Sequence, residues 1–161
     1  MIIAGQNKYK VLLADDDPST LNSLRLLLEF DGHEVYTVEN GAAAVALLLK
    51  GKFDILITDF EMPGMRGDEL VALARHIRPD QPIIMASGAL AYGSQPDNLV
   101  AGVDCLLNKP FTMQELREAI AWVIDRYADK RQAEAATQGT LNGLPPQTDK
   151  TRLPPDERSK H

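Results

Sequence analysis

Three short runs, "KVLLA" (10–14), "DILIT" (54–58) and "PIIMAS" (82–87), are apolar almost without interruption, and they give out at Asp15, Asp59 and Ser87. A strand with one wet face alternates apolar and polar residues. A continuous run belongs to a strand covered on both faces, the usual state of a parallel sheet with helices packed on either side. "EVYTV" (34–38) and "CLLN" (105–108) are weaker strand candidates. Helix signals fill the spaces between. Asp17 can cap a helix with Pro18 at its first position, Leu21, Leu24 and Leu28 then share a face, and Gly32 stops it. "AAAVALLLK" ends at Gly51, and "GDELVALARHI" ends before Pro79. A last helix starts at Thr112, where "TMQE" reads as a capping box with Glu115, and Leu116, Ile120, Val123 and Tyr127 share its inner face. A further short helix near 96–102 is poorly signalled, with Gly93 and Pro96 interrupting the region. The alternation of strand and helix predicts an α/β sandwich with a parallel sheet.

The composition narrows the class. The 161 residues carry a formal net charge of -6, which argues against direct DNA binding, since phosphate recognition needs a basic surface. One cysteine, Cys105, excludes an internal disulfide, reads as a small core residue and points to a cytoplasmic protein. "MIIAGQNKYK" is too short in apolar residues for a signal peptide, and "AAAVALLL" is far below the ~20 residues of a membrane span, so no membrane partner is expected. Residues 8–127 hold all the apolar periodicity. Residues 128–161, with two Pro-Pro pairs and near-balanced charge, read as a flexible tail or linker. This tail is too short for an independent output domain.

Ligands of an open α/β sheet bind beyond the carboxyl ends of its strands. That edge would gather Asp15 and Asp16 from strand one, Asp59 from strand three, Ser87 from strand four and Lys109 from strand five. Three adjacent acids, Asp15 to Asp17, repel one another unless a cation offsets them. Oxygen ligands of this kind suit Mg2+, with Asp15, Asp16 and Asp59 supplying or organising the ligands and Lys109 adding a second positive charge. A carboxylate beside such cations can attack phosphorus, and a hydroxyl such as Ser87 can bind a phosphoryl oxygen. Taken singly, "DDDP" is also a solvated turn, and Asp59, Ser87 and Lys109 are each ordinary loop or surface residues. Their coincidence at successive strand ends is what carries the reading. His33, His76 and His161 show no metal-ligand spacing.

The motifs "LLADDDPS", "ILITDFEMPGMRGDEL", "IIMASGA" and "LLNKPF", in this order and spacing over residues 8–127, resemble the receiver domain of two-component response regulators. The resemblance implies a flavodoxin-like α/β fold, doubly wound around a five-stranded parallel sheet of strand order 2-1-3-4-5 with helices on both faces. It implies Asp59 as phosphoacceptor, Asp16 as direct Mg2+ ligand, Asp15 bound mainly through water, and the backbone carbonyl of Glu61 on the metal. It further implies Ser87 as switch hydroxyl, Lys109 as phosphate-contacting cation, a cis Lys109–Pro110 bond, and Pro63 and Gly67 as shapers of the loop after the acceptor. Glu61 and Ala89 would flank the phosphoryl group. The partners implied are a histidine kinase or histidine phosphotransfer protein and an unidentified output protein reached by protein contact. Such a domain catalyses only its own phosphorylation and dephosphorylation and is not a turnover enzyme. Leu106 stands where the family usually has an aromatic residue, and Arg66 where it often has Asp. Two rivals share these residues. One is a degenerate receiver acting as a phosphorylation-independent binding module. The other is a haloacid-dehalogenase-type phosphatase, with Asp15 as nucleophile and Asp17 as acid/base.

Overall fold

In a computed structural model the described residues are 7–88 and 100–141. The elements run β1 (Lys10–Ala14), α1 (Pro18–Phe30), β2 (Glu34–Val38), α2 (Gly41–Lys50), β3 (Ile55–Asp59), α3 (Gly67–Ile77), β4 (Ile83–Gly88), β5 (Cys105–Lys109) and α4 (Met113–Leu141). The five strands form one parallel sheet of order β2-β1-β3-β4-β5. Both weak strand candidates are therefore strands, β2 and β5, and they occupy the two edges, where burial on both faces is not required.

The continuous apolar runs explain the layering. Alternate residues of the central strands feed two cores. Leu12, Ala14, Leu56, Ile83 and Met85 pack with Ala44 and Leu48 of α2 and Leu70, Val71 and Ala74 of α3. Val11, Leu13, Ile55, Ile57, Ile84 and Leu107 pack with Leu21 and Leu28 of α1 and Leu116, Ile120 and Val123 of α4. Leu106 joins the first core half-buried, and Cys105 is half-buried against the second.

The helix ends follow their local chemistry. Asp17 caps α1 by accepting the Ser19 N–H (3.1 Å), with Pro18 in the first turn, and Gly32 turns the chain out with φ +92°. Thr112 and Glu115 form the reciprocal box: Thr112 N–H donates to Glu115 Oε2 (2.6 Å) and Glu115 N–H to Thr112 Oγ1 (3.2 Å). The expected short helix near 96–102 lies mostly on residues 89–99, outside the described residues, and residues 101–102 form a turn.

The last helix differs from the sequence reading. Apolar periodicity ends at Tyr127, yet helical backbone continues to Leu141. Residues 129–138 are helical and exposed. Arg131, Gln132, Ala133, Glu134, Ala135 and Ala136 are all good helix formers, so backbone propensity sustains what burial does not. The chain divides into two compact units, residues 1–129 and 130–161. No helix among the described residues is long and apolar enough to cross a membrane.

Candidate functional site

β1, β3 and β5 end at the same edge of the sheet, so Asp15, Asp16, Asp59 and Lys109 meet there although up to 94 residues separate them. Asp15 and Asp59 are buried, Asp16 is exposed, and one carboxylate oxygen from each of the three lies within 4.8 Å of the others. Lys109 Nζ bridges two of them, 3.0 Å from Asp59 Oδ1 and 3.2 Å from Asp15 Oδ2. The second oxygen of Asp15 is held by the Asp17 N–H (2.9 Å). Asp17 thus caps α1 with its side chain and fixes Asp15 with its backbone, a double use that sequence does not display.

The backbone at Asp59 is clamped from two sides. Thr58 Oγ1, fully buried, donates to the Asp59 carbonyl (2.9 Å), and Phe60 N–H donates to the Ala86 carbonyl of β4 (2.9 Å). Gly67 N–H then reaches back to the Phe60 carbonyl (2.8 Å), closing the intervening loop. A Cβ on Gly67 would collide with the Asp59 carbonyl oxygen and come within 2.8 Å of Phe60 Cα, so the close approach demands glycine. Thr58 was missed from sequence; the signal was a polar residue inside an otherwise apolar strand.

Ser87 sits on β4, one residue beyond the register partner of Asp59, and is 1% exposed. Its hydroxyl donates to the Gly88 carbonyl (3.2 Å). Glu61, two residues past Asp59, has an exposed side chain. Ala89 lies outside the described residues. The Lys109–Pro110 bond is cis, as the resemblance implied.

The electrostatics of the cluster are unbalanced. Burial pushes the Asp59 carboxyl above its ordinary range, the Asp15 charge adds to this, and Lys109 opposes it. Burial works against the charge on Lys109, but the Asp59 and Asp15 carboxylates outweigh it and raise its pKa. Three carboxylates and one ammonium leave two negative charges over at a buried edge. All the donors are hard oxygens, and a divalent cation of the Mg2+ type matches both their chemistry and their excess charge.

A sequence profile of the response regulator receiver domain matches residues 11–121. The transcriptional regulatory protein GlrR of Escherichia coli is 37% identical over 131 residues, covering 78% of this chain and 29% of GlrR. The heme response regulator HssR of Staphylococcus aureus is 34% identical over 116 residues, covering 72% of this chain and 51% of HssR. The chain therefore spans about a third to a half of the length of these curated relatives. Among solved structures, the response regulator protein TrrA of Thermotoga maritima, in complex with Mg2+-BeF, is 32% identical with a TM-score of 0.63. That likeness covers 70% of this chain and 96% of TrrA.

Proposed function

The chain belongs to the response regulator receiver domain family, and on that premise we propose that it is a phosphorylation-controlled signalling switch with Asp59 as the phosphoacceptor. The observation that carries this is the Lys109 ammonium shared between Asp59 and Asp15 at the carboxyl edge of the sheet, 3.0 and 3.2 Å away. It sets a fixed cation beside the buried Asp59 carboxylate, which supports the reading of Asp59 as the nucleophile.

In this reading a histidine kinase or phosphotransfer protein presents phosphohistidine. An Asp59 carboxylate oxygen forms a bond to phosphorus, the P–N bond breaks, and the imidazole leaves with that electron pair. Asp15, Asp16 and Asp59, with the Glu61 carbonyl, would hold Mg2+. When bound, the ion offsets the repulsion between the acids and the incoming phosphoryl oxygens. Lys109 stabilises the charge that develops on the transferred group, having Asp59 already within hydrogen-bond distance. Thr58 and Gly67 keep the acceptor's backbone still while its side chain reacts. Ser87 leaves the Gly88 carbonyl for a phosphoryl oxygen, and the gain of that contact biases the domain toward its active state. Output then passes to a partner protein by contact. We take residues 8–127 as the receiver unit and the chain beyond it as tail or linker.

The test is intact-protein mass after incubation with a small phosphodonor, with and without Mg2+, for the wild type and for Asp59→Asn and Asp15→Asn. A Mg2+-dependent gain of one phosphoryl group that Asp59→Asn abolishes is the expected result. Retention of the label in Asp59→Asn, with loss only in Asp15→Asn and steady phosphate release, would make the chain a phosphatase. No label and no Mg2+ binding in the wild type would leave a phosphorylation-independent binding module.

A further inference from the structure

A second site lies at the opposite, amino edge of the sheet. A cavity of about 200 Å3 opens between the end of α1, the residues leading into β1 and β2, and the first half of α4. Tyr9, Asp31, His33, Arg117, Ile120 and Asp125 line it. Small-molecule sites usually run to ~300–1,000 Å3, so this volume suits one side chain rather than a cofactor.

The charges in the wall decide what that side chain is. Arg117 lies flat along Asp31, Nε to Oδ2 at 2.7 Å and Nη2 to Oδ1 at 2.8 Å. Each of these two groups is met by the other, and neither calls for a guest. The Tyr9 N–H donates to His33 Nδ1 (3.3 Å), so that nitrogen is an acceptor and the ring is held neutral at one edge. The Tyr9 and His33 rings stack, with centroids 5.4 Å apart and planes at 29°. Asp125 is exposed on α4 and makes no ion pair or hydrogen bond among the described residues. The uncompensated charge of the cavity is thus a single carboxylate, set beside an aromatic stack and an apolar floor at Ile120. A flat cation on an apolar stem satisfies all three, and the guanidinium is such a cation.

We propose that this cavity receives an arginine side chain from a protein partner, with Asp125 accepting its N–H groups and the Tyr9–His33 pair flanking its plane. The site stands apart from the phosphoacceptor edge and does not rest on the function proposed above.

The test is a titration of the 15N-labelled full chain with Nα-acetyl-arginine methylamide, beside its neutral isostere, the citrulline analogue. Saturable amide shifts at Tyr9, His33 and Ile120 are expected, with a dissociation constant of about 1 mM or weaker, given the size of the probe. The citrulline analogue should bind about tenfold more weakly, because the charge-assisted bonds are lost. Asp125→Asn should erase that difference. Asp125 is exposed, and unchanged shifts elsewhere will show that the variant folds. Absence of shifts, equal shifts with both probes, or an arginine preference that survives in Asp125→Asn would each overturn the proposal.

Discussion

The two edges of the sheet each hold a cluster of charged groups, and they are built to opposite ends. At the amino edge, Arg75 of α3 spends all five N–H groups. It donates to the carbonyls of Gly102 (2.9 and 2.7 Å), Pro79 (2.9 Å) and Gln81, and to Asp104 Oδ2 (2.9 Å). Asp104 also takes the Ile83 N–H (2.8 Å) and the Tyr127 hydroxyl (3.1 Å). One cation meets one anion, and the surrounding donors and acceptors are matched. At the carboxyl edge one ammonium serves two buried carboxylates with a third beside them. A closed network holds α3, β4, β5 and α4 together. An open one stores a demand for positive charge that folding leaves unmet.

This contrast can be broken by experiment. The largest effect should come from Arg75→Ala, which strands Asp104 and three carbonyls. A loss of about 3 kcal/mol or more is expected by chemical denaturation, with phosphorylation intact in the remaining folded protein. Gly67→Ala drives a methyl into the Asp59 and Phe60 backbone, which cannot yield as a side chain would. It should cost about 2 kcal/mol and slow phosphoryl uptake with it, since the proposed acceptor, Asp59, is itself displaced. Asp59→Asn should do the reverse and stabilise the metal-free protein by about 1 kcal/mol. It removes one of the crowded acids. A destabilised Asp59→Asn in EDTA would mean that the carboxyl edge is balanced after all.

The smallest effect belongs to His33. Burial lowers its pKa from 6.5, against the pull of Asp31. The unfolded chain therefore binds the proton more readily. The stability that neutral His33 contributes is complete above about pH 6.5 and is lost as pH falls through that value. Screening at this half-exposed position should keep the change well below about 1 kcal/mol. Melting temperatures from pH 7.5 to 5.5 should fall slightly more for the wild type than for His33→Gln. Equal slopes would remove His33 from the account.

The open edge was legible in the sequence, and the closed one was not. Asp15, Asp59 and Ser87 each stand where an apolar run stops, so the parallel topology alone brings them to one edge. The helix caps at Asp17 and Thr112 are local patterns and could be read for the same reason. Arg75 and Asp104 are 29 residues apart, and Asp31 and Arg117 are 86 apart. Nothing in their neighbours says that they meet. Such pairings depend on where side chains come to rest after the sheet has formed. The helix beyond Tyr127 escaped for another reason. Periodicity reports burial, and an exposed helix built on alanine, arginine, glutamine and glutamate has none to report.

The hydrogen bond from Gly67 to Phe60 ties off the acceptor loop like the neck of a bag. Its contents can be exchanged without moving what lies outside the knot. Met62 and Met65 anchor the inside of the loop by packing into the core, but Glu61, Pro63 and Gly64 face solvent. Glu61 and Pro63 are open to rewriting by selection or by a protein engineer, whereas Gly64, at φ +84°, holds a turn that favours glycine, and the Asp59 carboxylate keeps its address throughout.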